Sequence, residues 1–366
     1  MQESLRGSRA GTCVLRAGAL PWRLAWRVRS IGHAIGALRE WSVGVPVVSV
    51  GGLMAGGSGK TPIALDLTRR IATRGHNVAL VSRGYGGAGD RKVRIVSKGD
   101  RILSSVAEAG DEAIASAQAL LGAAAVVVGS DRVAAAMTAR DLTGARIVVL
   151  DDGFQHRRLA RDLDLVVMPN ADTESRGDLA PLPAGRMREP WAAAARADLR
   201  LFAEPEKRSV SPPTPNPWAA GRPFDPDADV AFAFSPGCLR PLRGGEAIDI
   251  DTLRNEPVAL VAAIARPESF EQDIRSLGAN PVARLWKGDH HFYDRGELDS
   301  FLRRAQQRGA RGVVATTKDA VKLAPLIDTT AVKLRCLVFE RKLTWDEHSS
   351  AILWTAIERV CAMAKQ

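Results

Sequence analysis

Six residues carry the first recognisable chemistry: Gly56-Gly57-Ser58-Gly59-Lys60-Thr61. Glycines let backbone N–H groups turn inward around a phosphate without Cβ clashes. A lysine directly after them reaches the β- and γ-phosphates of a nucleotide, and the next hydroxyl, Thr61, suits Mg²⁺. The stretch is therefore read as a phosphate-binding loop for ATP with Mg²⁺. Its spacing departs from the standard pattern in one place, because Met54 stands where a further glycine is usual. Gly56–Thr61 also matches the core of partition-type ATPase loops, but those place a lysine where this chain has Ala55.

Other polar clusters could complete such a site. The apolar run Arg146–Leu150 ends in Asp151-Asp152. An aspartate at the end of an apolar strand, after a phosphate-binding loop, is the second half of a Mg–nucleotide site. Gly110-Asp111-Glu112 opens a predicted helix, and on its own reads as helix capping. Asp289-His290-His291-Phe292 offers His290 as a base, as the orienter of a base, or as a surface residue. Arg186, Arg188 and Glu189 lie in the Pro/Gly-rich stretch LPAGRMREP, where arginines hold an anionic substrate or simply face solvent.

These residues must be positioned by an alternation of strands and helices. Val45–Val50 reads as a buried strand, Gly51–Gly59 as the loop and Pro62–Arg74 as an amphipathic helix. Strands are expected at Asn77–Ser82, Val93–Val96, Ala124–Val128, Arg146–Asp151 and Asp164–Met168, with helices at Asp111–Leu121 and Asp131–Asp141. Apolar strands separated by helices argue an α/β fold: a mainly parallel sheet, P-loop NTPase-like, with helices on both faces and ligands at the carboxyl ends of its strands. The proline-dense stretch Ser211–Asp227 cannot be a core element and marks a connection. A second, smaller α/β region follows, with strands at Val258–Ile264, Val282–Leu285, Gly312–Thr316 and Ala331–Phe339. Its helices are expected at Glu268–Ser276, Arg295–Arg308 and Trp345–Ala364. The expected division is residues 1–44, 45–205, 206–230 and 231–366.

A chain of 366 residues with 46% hydrophobic content has room for two cores, which excludes a wholly disordered protein. Cys13, Cys238, Cys336 and Cys361 are scattered with no CxxC, and the six histidines form no HExxH, so no zinc site is expected. The net charge of +10 asks for an acidic partner, and half of it falls in residues 1–44, where seven arginines face Glu3 and Glu40. There Leu20, Leu24, Val28, Ile31, Ile35 and Leu38 recur at helical spacing among Trp22, Trp26 and Trp41. No apolar run approaches the ~18 residues of a membrane-spanning helix. Two readings stand: a basic helix lying in an anionic membrane surface, or a helix packed on the protein's own core. A Trp-bearing apolar helix suits lipid better than nucleic acid, so no nucleic-acid partner is expected.

The motifs VGGLMAGGSGKTP (Val50–Pro62), SRGYGG (Ser82–Gly87), GDE (Gly110–Glu112), DDGFQHRRL (Asp151–Leu159), LPAGRMREP (Leu182–Pro190), DHHF (Asp289–Phe292) and TTKDAVKL (Thr316–Leu323) run in one order along the chain. In that order they resemble the tetraacyldisaccharide 4'-kinase (lipid A 4'-kinase) family. The family usually shows Asn, Pro and Glu where Gly52, Ala113 and Thr317 stand here. The resemblance implies transfer of the γ-phosphate of ATP to the 4'-hydroxyl of a tetraacyldisaccharide 1-phosphate in lipid A biosynthesis. It implies Gly56, Gly57, Ser58, Gly59, Lys60 and Thr61 for the nucleotide, and Thr61 with Asp151 and Asp152 for Mg²⁺. It further implies Asp111 as base tuned by His290, and Arg83, Glu112, Arg188 and Glu189 for the acceptor. The place it implies is the cytoplasmic face of the bacterial inner membrane, held peripherally, with no obligate protein partner. The alternative is a P-loop switch that hydrolyses nucleotide to control a partner at the membrane. A guanine-binding switch wants [NT]KxD, and after Thr317-Lys318 the aspartate comes one residue early, with Ala320 in its place.

Overall fold

In a computed structural model of the chain, the run VVSVGG forms β1 (Val47–Gly52), every residue of which is buried. Its burial on both sides follows from its place inside one sheet, paired in parallel with β5 (Ile147–Asp151) and β6 (Leu163–Val167). The structure describes residues 9–57, 59–87, 92–169, 178–204, 225, 227–289, 291–327, 329–332 and 334–364. Helix α1 (Arg9–Ala34) precedes β1 and α2 (Lys60–Thr73) follows it. Then come β2 (Val78–Ser82), β3 (Arg94–Ser97), the one-turn α3 (Val106–Ala109), α4 (Asp111–Ala119), β4 (Ala125–Val128) and α5 (Arg132–Thr143). After β6 and a 3-10 helix at Trp191–Arg196 comes β7 (Leu199–Ala203). Next along the chain are β8 (Val230–Pro241), β9 (Pro257–Ala262), α6 (Pro267–Ser276), β10 (Asn280–Trp286) and α7 (Arg295–Gln307). The last elements are β11 (Gly312–Thr316), α8 (Thr317–Ile327), β12 (Arg335–Trp345) and α9 (Glu347–Met363).

The strands form a single 12-stranded sheet ordered β10-β9-β11-β12-β8-β7-β6-β1-β5-β2-β4-β3. All neighbours are parallel except β3 with β4 and β8 with β12. The mainly parallel α/β architecture expected from the sequence is present. Apolar side chains cover both faces of each half. Val50, Leu80, Val126 and Val149 lie in one cluster with α2, while Ala79, Val81, Val127 and Val148 lie in another with α5. The β9–β11 half is likewise covered by α7 on one face and α6 on the other.

Several elements differ from their expected bounds. The late strand begins at Arg335 rather than Ala331 and runs on to Trp345, because it pairs antiparallel with the long β8. Neither β7 nor β8 was legible: β8 carries Pro236 and Gly237 inside it, residues that ordinarily demote a strand. It tolerates them where its register slips opposite Glu340/Arg341. Helix α8 starts directly at the end of β11 with no linker, so no loop signal separates it. Helix α9 follows the second half in sequence, yet Leu353, Ile357 and Val360 lie in the same core as β1 and α2. The proline-dense stretch 211–224 lies outside the described residues.

At the N-terminus, α1 ends at Ala34, before Ile35 and Leu38 of the expected apolar face. Leu24, Val28 and Ile31 on the helix are 64%, 63% and 58% exposed. The other edge of α1 is tied inward, since the indole of Trp26 donates to Glu189 (2.9 Å). One edge of this helix is thus packed against the protein and the other presents exposed apolar side chains.

Candidate active site

β1 delivers the phosphate-binding loop, and Gly59 turns it into α2 with φ +82°. A side chain at Gly59 would be strained by that angle, and a Cβ there would stand 2.6 Å from the Phe234 ring. Lys60 is buried at the start of α2. Its Nζ lies 3.6 Å from Asp152 Oδ1 and donates to the Gly56 carbonyl at 3.3 Å. Burial pulls its pKa below the ordinary lysine value, against the pull of Asp152. Thr61 Oγ1 donates to Asp151 Oδ2 at 2.8 Å, which joins the loop to the end of β5. Ser58 lies outside the described residues.

Burial raises the Asp151 carboxyl to about 6, the Thr61 hydroxyl easing and the neighbouring Asp152 adding to that rise. Asp152 is half-buried, and although desolvation pushes its pKa up, Lys60 and Arg188 outweigh that and hold it below the usual range. Asp151 Oδ1 is buried and has no hydrogen-bond partner among the described residues. An orphaned carboxylate oxygen beside a hydroxyl and a second carboxylate is a set of hard oxygen donors. Mg²⁺ ordinarily takes one or two carboxylates and completes its shell with phosphate and water. The residues present therefore fit Mg²⁺.

LPAGRMREP lies against the loop as a strap. Ala55 N–H donates to the Arg186 carbonyl (2.8 Å), and Arg188 N–H donates to the Leu53 carbonyl (2.7 Å). Arg186 Nε also donates to the Ala55 carbonyl at 3.1 Å. Arg188 Nη1 donates to Asp152 Oδ2 at 2.7 Å, so this arginine stands at the phosphate end of the site. Glu189 turns the other way. It is buried, and its carboxylate accepts from Trp26 Nε1 at 2.9 Å and from both terminal nitrogens of Arg196 at 2.6 and 2.9 Å. From DDGFQHRRL, Gln155 Nε2 donates to the Gly52 carbonyl at 3.0 Å. Its own carbonyl accepts from Arg29 of α1. Arg83 is exposed beyond the end of β2, where its charge is felt by Arg132 and His156.

GDE is held by SRGYGG. Gly110 has φ +89°, and a Cβ there would meet the Tyr85 carbonyl at 2.2 Å. That close approach starts α4 with Asp111 buried. Asp111 Oδ1 accepts from the Glu112 N–H at 2.9 Å. Its Oδ2 lies 3.2 Å from Lys322 Nζ of α8. Beside it, Lys318 Nζ bridges Glu112 (3.0 Å) and Asp289 (2.7 Å). Burial pushes the Lys318 pKa down, but Glu112 and Asp289 together raise it above the ordinary lysine value. His290 lies outside the described residues, but its neighbour Asp289 is thus tied to the residue that follows Asp111. The roles of the two lysines of TTKDAVKL are not legible as a motif, and their only signal in the sequence is that Lys318 and Lys322 stand four apart and so on one helical face.

Comparisons with known proteins speak to the family and the fold. The family described as Tetraacyldisaccharide-1-P 4'-kinase matches residues 12–358. The tetraacyldisaccharide 4'-kinase of Anaeromyxobacter sp. (strain K) is 39% identical over 98% of this chain and 93% of its own length. That of Geobacter metallireducens is 35% identical over 93% of this chain and 96% of its own. Among solved structures, LpxK from Aquifex aeolicus in complex with ATP superposes with a TM-score of 0.72. It is 26% identical, and the match covers 94% of this chain and 99% of that one. With a phosphate-binding loop, a paired-aspartate strand end and a buried Asp111 on the fold of an ATP-bound relative, the chain belongs to the tetraacyldisaccharide-1-P 4'-kinase family.

Proposed function

We infer that the protein transfers the γ-phosphate of ATP to the 4'-hydroxyl of a tetraacyldisaccharide 1-phosphate, the lipid A precursor. The observation that carries the reading is the Thr61–Asp151 hydrogen bond, 2.8 Å, which brings the two halves of a Mg–nucleotide site together. Phosphoryl transfer needs positioning and charge neutralisation more than covalent chemistry. The backbone of Gly56–Gly59 cradles the phosphates, and Lys60 neutralises charge on the transferred group. Thr61 and Asp151, with Asp152 beside them, would hold Mg²⁺, which would supply positive charge to offset the negative charge developing on the transferred group. Arg188 stands ready for the anionic acceptor or the phosphate, and Glu189 fixes the strap that carries it. A sugar hydroxyl attacks only as its proton is taken. Asp111, at the start of α4, takes that part together with His290, while Arg83 and Glu112 line the acceptor's side.

The acceptor is an amphiphile, and α1 offers a matching surface. No helix among the described residues is long and apolar enough to cross a membrane. The exposed Leu24, Val28 and Leu38 border an apolar groove of ≈ 580 Å³ that also touches Arg29. Basic side chains among exposed apolar ones suit an anionic bilayer surface. The protein then works peripherally, at the cytoplasmic face of the inner membrane. Product analysis tests the reaction. With Mg-ATP and tetraacyldisaccharide 1-phosphate, mass spectrometry should find one added phosphate on the distal sugar. A product phosphorylated at any other hydroxyl would overturn the reading.

A further inference from the structure

Three buried charges meet where α8 crosses α4. Lys322, whose side chain is 2% exposed, stands 3.2 Å from Asp111 and 3.1 Å from Asp319. Asp319 is already well supplied. It accepts from the Ala263 N–H (3.0 Å), the Tyr293 hydroxyl (3.1 Å) and the Thr316 hydroxyl (2.6 Å). Those bonds fix Asp319 within the β9–β11 half of the sheet. Asp111 belongs to the other half, on α4. The ammonium of Lys322 is therefore a cross-link between the halves, and its far end is the carboxylate assigned to the chemistry. A buried carboxylate with no cation beside it keeps its proton, and a protonated one neither accepts a proton nor steadies a cationic neighbour.

We propose that Lys322 is a positioning residue for phosphoryl transfer, holding the Asp111 carboxylate ionised and aimed at the seam between the two halves. The proposal rests on the reading of Asp111 as part of the base. Lys322 does not touch the reacting atoms and acts through Asp111. Charged groups near Asp111 among the described residues come from α4, α8 and α3. Glu112 adjoins it on α4, while Lys318, Asp319 and Lys322 face it from α8. Glu108 of α3 is paired to Arg94 of β3. Asp289 stands beyond Lys318, and β4 contributes only apolar side chains. Lys322 alone among these makes a buried ion pair directly with Asp111 among the described residues.

The test compares Lys322→Met, Lys322→Arg and Asp111→Asn in the full-length protein. Turnover is followed across about pH 5 to 9, with the KM for ATP measured beside it. Lys322→Met should lower kcat at neutral pH by about tenfold or more and move its acid limb upward by about one pH unit. The KM for ATP should stay within about twofold, and Lys322→Arg should restore the limb. An unaltered pH profile in Lys322→Met overturns the proposal. If that variant is too unstable to assay, thermal unfolding of Asp111→Asn/Lys322→Met decides. Removing both charges should recover stability lost with one. A double variant no more stable than Lys322→Met overturns the proposal too. Full turnover in Asp111→Asn would instead sink the reading of the base, a separate failure.

Discussion

Lys60 is buried between the Gly56 carbonyl and Asp152, and no other side chain of the loop carries charge. Lys60→Ala should cut transfer by about a hundredfold or more, since an interaction on the moving phosphoryl group is lost in the transition state. Turnover within a few-fold of the unaltered protein would remove the loop from the mechanism. Asp151→Asn removes a negative ligand for a hard cation while leaving an oxygen for Thr61. The Mg²⁺ concentration for half-maximal rate should rise about tenfold. An unchanged Mg²⁺ titration would move the metal role to Asp152. At this scale the sequence was informative wherever a motif is local. Gly56–Thr61 and Asp151-Asp152 announce themselves by neighbours along the chain. Lys322 does not, because its partner Asp111 is separated from it by most of the fold, and no periodicity encodes an ion pair. Glu189 was legible as a residue of the strap but not in its direction, which the indole of Trp26 and the guanidinium of Arg196 decide.

At the scale of elements, α1 and α6 give independent tests. Leu24, Val28 and Ile31 of α1 are exposed, so Leu24→Ser/Val28→Ser/Ile31→Ser should fold normally. It should bind anionic vesicles about tenfold more weakly, because apolar area is withdrawn from the interface. ATP affinity should hold, since the loop is untouched. Undiminished vesicle binding in a flotation assay would contradict a membrane role for this face. On α6, Glu271 accepts from Arg275 Nε (2.7 Å) and from Arg284 of β10 (2.5 Å), pinning helix to strand. Arg284, then Arg275, depress its carboxyl to about 2, against the opposing effect of burial. A depressed folded-state pKa stabilises the fold above the unfolded value near 4.5 and stops doing so as pH falls toward 2. Both arginines are part-exposed, so the stabilisation is about 1 kcal/mol. Glu271→Gln should therefore cost about that much at pH 7 in denaturant unfolding, the gap narrowing through the acid range. A gap independent of pH would assign the loss to packing. The helices and strands read correctly from sequence are those with clean periodicity, such as α2 and α7. β8 and α8 escaped because Pro236, Gly237 and Pro325 interrupt the pattern, and long-range pairing overrides it.

At the scale of the molecule, two sheet halves meet through the antiparallel pair β8–β12, and α9 returns to the first core. Lys318 and Lys322 reach across from α8 to Glu112 and Asp111, so these two carboxylates are set by both halves together. With the proposed roles of Asp111 and Glu112, chemistry would be coupled to the relative placement of the halves. That the fold is mainly parallel followed from alternating apolar strands and helices. That one sheet runs through both halves did not, because the pairing of β8 with β12 is set by contacts distant in sequence. The proposed activity is transfer to an acceptor rather than hydrolysis. Its most direct test measures ATP consumption by the purified protein with Mg²⁺, in mixed micelles with and without tetraacyldisaccharide 1-phosphate. ADP should form stoichiometrically with 4'-phosphorylated lipid and fall to a small residual rate when the acceptor is withheld. ADP formation at the same rate without acceptor, with no phosphate gained by the lipid when it is present, would contradict the account.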